Sequence, residues 1–344
     1  MLPEEARSSV WLVSPTESVP GRRPALVVLC ASGDERPAHL ERLTGQVELR
    51  FVQAQDLPTA LQGARALLVW DFSSSVLADN WAHCGSLEWI HVASAGVDAL
   101  LFDALRESDV TVTNARGTFD RPMAEFVLAS ILAHRKLIHE SARLQAARVW
   151  SHRESLPLTG AKALVIGTGA IGREIARLLT AVGMKIRGAG RRHADHDPDF
   201  GMIVSSAELV AHVGWCDYLV NVAPLTPQTR GLIDAKVLEA MRPSAHLVNV
   251  GRGPTVVEAD LVDALRRGAI SGASLDVFET EPLPADSPLW DAPGCVVSAH
   301  MSGDVVGWRD ALALQFVENA ERWLADEPLL NVVDKRLGYV PGRQ

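Results

Sequence analysis

The stretch Ala163-Leu164-Val165-Ile166-Gly167-Thr168-Gly169-Ala170-Ile171-Gly172-Arg173-Glu174-Ile175-Ala176 decides the fold of this chain. Four apolar residues run into Gly167, Gly169 and Gly172, and apolar residues then recur at helical spacing as far as Val182. A strand, a tight glycine turn and a helix in this order are typical of a dinucleotide-binding unit. The first glycine lets the backbone turn, the second lets it approach a pyrophosphate, and the third lets helix and strand pack closely. A glycine-rich loop without a ligand is the alternative interpretation of the turn taken alone.

The composition is that of a globular protein with sizeable cores. The 344 residues suffice for two domains of roughly 100–200 residues each, and 47% of them are hydrophobic. A net charge of −9 argues against nucleic acid or an anionic membrane as the main partner. No apolar run approaches the ~20 residues of a membrane span. The four cysteines are scattered without a CxxC pair, so we expect a reducing, cytoplasmic location.

Strand and helix patterns alternate on both sides of the glycine turn, which predicts an α/β protein with parallel sheets. The predicted strands are Ala25–Cys30, Val47–Val52, Ala66–Trp70, Leu87–Val92 and Val110–Thr113 before the turn, and Lys185–Ala189, Tyr218–Val222, His246–Val250, Ser274–Phe278 and Cys295–His300 after it. A long helix begins at Asp120, a residue that can cap it, and is apolar on more than one side. We interpret this helix as the crossing between two domains, buried between layers or between subunits.

Three polar residues, Arg252, Glu281 and His300, stand at or just beyond predicted strand ends. In open α/β sheets the ligand binds outside the carboxyl ends of the strands, so these side chains are expected in one crevice. A guanidinium suits a bidentate hold on a carboxylate, and a carboxylate beside a histidine favours the imidazolium as a proton donor. Taken singly, each residue has a plainer interpretation as a solvated charge or a structural histidine.

With these motifs the chain resembles the D-2-hydroxyacid dehydrogenases, which include glyoxylate/hydroxypyruvate reductases. The motifs that carry the resemblance are Gly167–Gly172, Asn249-Val250-Gly251-Arg252-Gly253, Leu275-Asp276-Val277-Phe278-Glu279-Thr280-Glu281-Pro282 and Ser298-Ala299-His300. It implies that Arg252 binds the substrate, that His300 is the general acid/base and that Glu281 is its partner. It implies substrate-carboxylate contacts from the backbone of Ser94, Ala95, Gly96 and Val97. Cofactor contacts are implied for Ala170, Ile171, Val222, Pro224, Val250, Asp276 and Gly303, with Asp276 facing the nicotinamide carboxamide.

The fold implied by the resemblance is two doubly wound parallel-sheet domains. A Rossmann-type cofactor domain, 119–307, is inserted in a flavodoxin-like substrate domain made of 1–118 and 308–344. The expected reaction is reduction of a short 2-keto acid, such as glyoxylate or hydroxypyruvate, to the D-2-hydroxy acid. The expected assembly is a homodimer through the cofactor domain.

The second strand of the cofactor unit departs from the pattern of NAD-specific proteins. Such units carry an acidic residue about 20 residues beyond the glycine turn, to hold the ribose 2′-hydroxyl. Here the sequence reads Ala189-Gly190-Arg191-Arg192, which suits a 2′-phosphate. We therefore favour NADP(H) over NAD(H), the alternative being that Arg191 and Arg192 are solvated.

Other functions consistent with the motifs are kept as alternatives. A nucleotide-sensing protein of the corepressor type would keep the fold and the same residues without turnover. Formate dehydrogenase, a specialised relative, is disfavoured because the resemblance would then require glutamine in place of Glu281. We expect His193, Asp195, His196 and Asp197 in a loop after the second strand of the cofactor unit, and His212, Cys216 and Asp217 at a junction between a helix and a strand. Neither group is interpreted as a metal site.

Overall fold

The computed structural model describes residues 23–33, 36–72 and 74–341, which build two β-sheets with helices on both faces. The strands are β1 Ala25–Leu29, β2 Glu48–Val52, β3 Ala64–Val69, β4 Trp89–Val92, β5 Thr111–Asn114, β6 Lys162–Ile166, β7 Lys185–Gly190, β8 Ala194–Asp197, β9 Gly201–Ser205, β10 Tyr218–Asn221, β11 His246–Asn249, β12 Gly272–Leu275 and β13 Cys295–Val297. The helices are α1 Leu57–Ala60, α2 Val76–Asp79, α3 Asp103–Glu107, α4 Asp120–Arg135, α5 Ile138–Ala146, α6 Ala170–Ala181, α7 Leu209–His212, α8 Ala235–Ala240, α9 Glu258–Arg267 and α10 Trp308–Leu324. Short 3₁₀ turns lie at Leu40–Leu43, Ala54–Asp56, Trp81–His83, Ser206–Glu208, Val213–Trp215 and Gly253–Thr255.

The first sheet is entirely parallel, in the order β2-β1-β3-β4-β5. This is the flavodoxin-like order of a doubly wound sheet. The central strands β1 and β4 are buried along their whole length and β3 is buried except at Arg65, because both faces of the sheet are covered. α10 comes from near the end of the chain, yet Leu312, Phe316 and Val317 pack with Leu26 and Val28 on one of these faces. The chain therefore returns to the first sheet after completing the second.

The second sheet has the order β13-β12-β11-β10-β6-β7-β9-β8, and the strand that follows the glycine motif, β6, lies between β7 and β10. Strands β6, β7, β9, β10, β11 and β12 thus reproduce the Rossmann order. The sheet is mixed, because β8 runs antiparallel to β9. The predicted doubly wound fold is confirmed, and the antiparallel strand β8 at this edge is an addition that was not predicted. The polar residues 193–197, which we expected to form a loop, include a short edge strand, and β9 was not predicted.

The long helix α4 starts where expected but is not capped as expected. Asp120 is its first residue, Phe119 occupies the N-cap position, and no side chain caps the helix. Ala124, Val127 and Ile131 face the second sheet and pack with α6. After α4, Leu137 has a left-handed backbone conformation at φ 54° and is the N-cap residue of the next helix, α5. Helix α5 was not predicted from the sequence.

Ligand crevices in such sheets form where consecutive connections leave to opposite faces. In the second sheet this point lies beyond the carboxyl ends of β6 and β10. The glycine turn follows β6 directly, so the fold places that turn at the crevice. None of the helices in the described ranges is long and apolar enough to cross a membrane.

Candidate active site

The glycine turn after β6 has the shape of a phosphate cradle. Gly167 has φ +104°, and a Cβ there would lie 2.8 Å from the carbonyl oxygen of Val222. A Cβ on Gly172 would lie 1.9 Å from the carbonyl oxygen of Gly167, so helix α6 can pack this closely only with glycine. Gly169 faces open space and is the N-cap of α6 without a side-chain cap. The first amides of a 12-residue helix therefore border a free volume, which fits a dinucleotide pyrophosphate.

Most of the other residues predicted to contact the cofactor open helix α6 or follow the strands next to β6 on one side of the sheet. Ala170 and Ile171 form the first turn of α6, while Val222 and Pro224 follow β10. Val250 follows β11 and is buried. Gly303 lies against the Phe119 ring, where a Cβ would come within 2.7 Å of Cδ1. All except Gly303 thus lie at the carboxyl ends of β6, β10 and β11, and their contacts with the cofactor stay a prediction.

Arg191 and Arg192 follow β7 and are exposed, as a residue that meets a ribose phosphate must be. The guanidinium carbon of Arg191 lies 5.1 Å from the ring centroid of Tyr339, a cation–π contact. Tyr339 belongs to the C-terminal tail, which the sequence did not connect with the cofactor crevice. The tail therefore reaches the carboxyl end of β7, where the 2′-phosphate is predicted to bind.

A buried amide network holds the loop that carries Arg252. The Asn221 Nδ2 donates to Asn249 Oδ1 at 2.9 Å and to Thr255 Oγ1 at 2.7 Å. Thr255 in turn donates its hydroxyl to the Arg252 carbonyl at 2.5 Å. Because all three network side chains are fully or almost fully buried, they fix the loop backbone from beneath.

The Arg252 side chain crosses to the loop that follows β4 in the first sheet. Its Nε donates to Asp98 Oδ1 at 3.0 Å, and its Nη1 donates to the Gly251 carbonyl at 2.9 Å. The Nη2 lies so close to Gly96 that a Cβ there would be 1.6 Å away. Glycine at 96 is therefore what admits the guanidinium, and Asp98 is a partner that sequence reasoning missed.

The loop Ser94–Val97 presents amide groups beside that guanidinium. Its carbonyls accept hydrogen bonds within the chain: Ser94 from the Ala115 amide, Ala95 from Asn114 Nδ2 and Gly96 from the Ser94 hydroxyl. Within the described ranges, the amides of Ala95, Gly96 and Val97 donate to no acceptor. A loop with its carbonyls engaged and its N–H groups free suits an anion.

Glu281 and His300 form the pair predicted from the sequence. Glu281 Oε2 lies 2.7 Å from His300 Nδ1, and Glu281 Oε1 accepts from the Phe278 amide at 2.8 Å. The turn that carries Glu281 can approach the Arg252 loop because residue 253 is glycine. A Cβ on Gly253 would lie 1.8 Å from the Phe278 carbonyl oxygen.

The electrostatics of the pair favour the ionised form of both groups. The hydrogen bond to Glu281 raises the pKa of His300, against opposing effects of burial and of the Arg252 charge. Burial tends to raise the pKa of Glu281, but the hydrogen bonds from His300 and the Phe278 amide outweigh it and lower that pKa. The structure therefore brings Arg252, Glu281 and His300 together, and the pair formed by the last two favours a carboxylate beside an imidazolium.

Known proteins of similar sequence and structure identify the family of this chain. Residues 128–302 match the model of the D-isomer specific 2-hydroxyacid dehydrogenase NAD-binding domain. Glyoxylate/hydroxypyruvate reductase B from Pectobacterium carotovorum is 31% identical over 92% of this chain and 99% of its own length. The chain belongs to the D-isomer-specific 2-hydroxyacid dehydrogenase family. It is an NAD(P)-dependent 2-hydroxyacid dehydrogenase.

Solved structures agree with this family membership. A dehydrogenase of the family from Xanthobacter autotrophicus, in complex with NADPH, is 32% identical with a TM-score of 0.77. A glyoxylate/hydroxypyruvate reductase from Sinorhizobium meliloti, described as NADPH-dependent and in complex with NADP, is 28% identical with a TM-score of 0.77. Each alignment covers 92% of this dehydrogenase and 100% of the other chain.

Some polar residues of this dehydrogenase serve the scaffold instead of the site. Asp197 forms a bidentate pair with Arg173, with 2.9 Å between the charged atoms, and thereby ties β8 to α6. His193 pairs with Asp195 at the surface at 2.9 Å. No cluster of three or more metal-binding side chains is found among the residues described.

Proposed function

We propose that this dehydrogenase reduces a short 2-keto acid, of the glyoxylate or hydroxypyruvate type, to the D-2-hydroxy acid with NADPH. The observation that carries the proposal is the 2.7 Å contact between His300 Nδ1 and Glu281 Oε2, set beside the Arg252 guanidinium. The names of the reductases from Pectobacterium and Sinorhizobium support the substrate class.

Arg252 and the Ser94–Val97 loop would hold the substrate carboxylate. The Arg252 Nε and one Nη1 proton are engaged by Asp98 and Gly251, so Nη2 is left for a ligand. The free amides of Ala95 and Gly96 border the same point. A carboxylate held by a guanidinium and backbone N–H groups is fixed in orientation as well as position. The ketone oxygen of a short 2-keto acid would then lie within reach of His300.

His300 would supply the proton that the reduction requires. Because Nδ1 contacts Glu281, Nε2 is the ring nitrogen left to face the ketone oxygen. When bound in the crevice, the reduced nicotinamide supplies the hydride to the carbonyl carbon. His300 gives its proton to the oxygen, so that the ketone gains one hydride and one proton in total. With 51% of its side chain exposed, His300 can recover a proton from solvent.

NADP(H) is proposed over NAD(H) from residues of this chain. Arg191 and Arg192 stand where an acidic residue would hold an unphosphorylated ribose. Two guanidiniums attract a 2′-phosphate and leave a 2′-hydroxyl without an acceptor. NADP or NADPH is also what the Sinorhizobium and Xanthobacter structures contain.

We also propose a homodimer formed through the segment 138–156. α5 has no buried residue, and Trp150 is 99% exposed. Ile138, Val149 and Leu156 are each more than half exposed in the same segment. The segment carries both signs of charge, at Glu140, Arg143, Arg148, Arg153 and Glu154, so two copies can be complementary about a two-fold axis. A large apolar side chain left in water is otherwise costly, which favours a second copy as the covering surface.

A turnover assay tests the enzymatic proposal. The purified protein is mixed with glyoxylate, hydroxypyruvate, pyruvate and formate, each with both reduced and oxidised cofactors. We expect oxidation of NADPH with a short 2-keto acid and no reduction of NADP⁺ with formate. Nucleotide binding without turnover of any keto acid would instead support the corepressor-type alternative.

The oligomeric state tests the dimer. Sedimentation of the full chain should give a dimer, and Trp150→Ser should shift the equilibrium towards monomer. Trp290→Ser is the matched control, since Trp290 is also exposed, at 51%, but lies outside the segment. A monomeric wild type, or equal effects of the two substitutions, would count against this interface.

A further inference from the structure

The C-terminal tail, residues 328–341, lies along the edge of the first sheet. The Asn114 amide donates to the Asn331 carbonyl at 3.3 Å, and the Val333 amide donates to the Val112 carbonyl at 2.8 Å. The side chain of Val333 is buried in the apolar core beneath that sheet. The first half of the tail is therefore held by β5 and by the core that β5 covers.

The tail then turns back in a hairpin that is closed by backbone hydrogen bonds. The Asp334 amide donates to the Tyr339 carbonyl at 3.1 Å, and the Gly338 amide donates to the Asp334 carbonyl at 2.8 Å. The Asp334 carboxylate accepts from the amides of Arg336 and Leu337 at 2.9 and 3.0 Å. Because these bonds fix the backbone of the turn, the side chain of Tyr339 leaves it at a defined place.

The residues that follow the hairpin anchor it a second time. Val340 packs against the same apolar core of the first sheet. An Arg116 Nη1 donor binds the Pro341 carbonyl at 2.9 Å. Tyr339 is thus held on both sides by the first sheet, whereas Arg191, which it contacts, follows β7 of the second sheet.

The contact with Tyr339 leaves the hydrogen-bond donors of Arg191 available. The guanidinium carbon lies over the ring, 5.1 Å from its centroid. Within residues 23–33, 36–72 and 74–341, the exposed Arg191 side chain has no hydrogen bond or ion pair. An aromatic face attracts the positive charge without occupying the N–H groups as a carboxylate would. An arginine held in this way also loses less conformational freedom when an anion binds.

We propose that Tyr339 is a positioning residue for cofactor recognition, which holds the Arg191 guanidinium where it binds the 2′-phosphate of NADP(H). The inference rests on the proposed preference for NADP(H). It adds that this preference is built from both sheets, since the second sheet supplies the cation and the tail on the first sheet supplies the ring that orients it. Tyr339 acts through Arg191 and needs no contact of its own with the cofactor.

The test compares the affinities of the full-length protein for 2′-phospho-ADP-ribose and ADP-ribose, which differ only in the 2′-phosphate. Tyr339→Leu keeps an apolar side chain without the aromatic face. It should weaken binding of 2′-phospho-ADP-ribose about fivefold, the size of a cation–π contact near the surface, and leave ADP-ribose unchanged. Tyr339→Phe restores the ring and should bind both ligands as wild type does. Leu337→Ala, half-buried in the same hairpin, is the matched control and should also match wild type.

A double-mutant cycle shows whether Tyr339 acts through Arg191. Arg191→Ala should weaken 2′-phospho-ADP-ribose about tenfold, and adding Tyr339→Leu should cause no further loss. The same loss from Tyr339→Leu in both backgrounds would mean that the ring contacts the ligand directly, and would overturn the inference. Equal losses for the two ligands would overturn it as well. So would a loss in Leu337→Ala as large as in Tyr339→Leu, because the fold of the hairpin would then be responsible.

The same measurements separate this inference from the proposed cofactor preference. Equal wild-type affinities for the two ligands, unchanged in Arg191→Ala, would overturn the preference for NADP(H) and this inference with it. A preference for 2′-phospho-ADP-ribose that is lost in Arg191→Ala but fully kept in Tyr339→Leu would overturn this inference alone. Because neither ligand carries a nicotinamide, the result does not depend on whether a keto acid is turned over.

Discussion

Asp98 and Arg252 join the two sheets of this dehydrogenase by one hydrogen bond, 3.0 Å from Arg252 Nε to Asp98 Oδ1. Asp98 ends the loop after β4, and Arg252 follows β11. About a quarter of each side chain is exposed, at 28% and 27%. The contact leaves one edge of the guanidinium for a ligand and fixes the plane of the group. Arg252 therefore contributes a guanidinium of fixed orientation as well as a positive charge.

Replacement of Arg252 by lysine is expected to lower kcat/KM for the keto acid by about two orders of magnitude. Lysine keeps the charge but loses both the Nε donor to Asp98 and the fork that matches a carboxylate. Steady-state kinetics should show a raised KM for the keto acid, and fluorescence titration should show unchanged NADPH affinity. Arg266→Lys, on the exposed side of α9, is the control. A loss of cofactor affinity equal to the loss of substrate affinity would contradict the assignment.

Replacement of Glu281 by glutamine is expected to shift the pH dependence of reduction towards acid. The hydrogen bond to Glu281 raises the pKa of His300, so in wild type the protonated acid persists to higher pH. With glutamine that pKa falls, and the alkaline decline of kcat/KM begins earlier. At about pH 8 the variant should lose roughly tenfold more activity than at pH 6. A pH profile of wild-type shape at reduced height would show that Glu281 acts on structure alone.

Removal of the Arg191 guanidinium is expected to discriminate between the cofactors. Arg191→Ala should raise the KM for NADPH about tenfold and leave that for NADH nearly unchanged, since only the former carries a 2′-phosphate. Arg266→Ala removes an equal charge from a surface helix and should have no such effect. Equal changes in KM for both cofactors would indicate that Arg191 is a solvated side chain that does not contact the 2′-phosphate.

Buried histidines are expected to make the fold sensitive to acid. Burial lowers the pKa of His91 to about 3 and, with repulsion from His134, lowers that of His246 to about 3. Unfolded histidines titrate near their ordinary value of about 6.5, so the unfolded chain takes up protons below that pH and the native state does not. Their stabilising contribution is therefore complete above about pH 6.5 and is lost as the pH falls towards 3.

Urea unfolding at about pH 7.5 and pH 5 measures this effect. Each of the two histidines should lower the free energy of unfolding by roughly 2 kcal/mol at the lower pH. His246→Phe fills the place of the ring, which stacks on His134 at 4.3 Å between centroids, and should reduce the pH dependence. His193→Gln, at the surface, should leave it unchanged. Identical pH dependence in wild type and His246→Phe would disprove the explanation.

The features that the sequence predicted well are those that depend on neighbouring residues or on a general rule of sheet topology. The turn Gly167–Gly172 was recognisable because strand, glycines and helix are adjacent, and the apolar runs of most strands show directly that they are buried. The pair Glu281 and His300 could be anticipated because strand ends converge in such sheets. These inferences need only neighbours in sequence or a general rule of topology.

What the sequence did not predict depends on distant contacts. Asp98 meets Arg252, and Tyr339 meets Arg191, only because the chain returns across two sheets. The strand β8 is polar and lies at an edge, so it has no apolar pattern, and its position depends on the pair between Asp197 and Arg173. For Asp276, the strand end was visible, but the three donors on its buried carboxylate, at Ser298, Met301 and Ser302, were not.

Gly253 sets the width of the active site. The Phe278 carbonyl carbon and oxygen occupy the place of its absent side chain, at 1.8 Å from a Cβ. One methyl group there would push the Glu281 turn, with its partner His300, away from the Arg252 loop. In the proposed mechanism, the distance between the side chain that binds the substrate and the one that protonates it is thus governed by a position that has no chemistry of its own, and a redesign for larger substrates would begin by leaving it untouched.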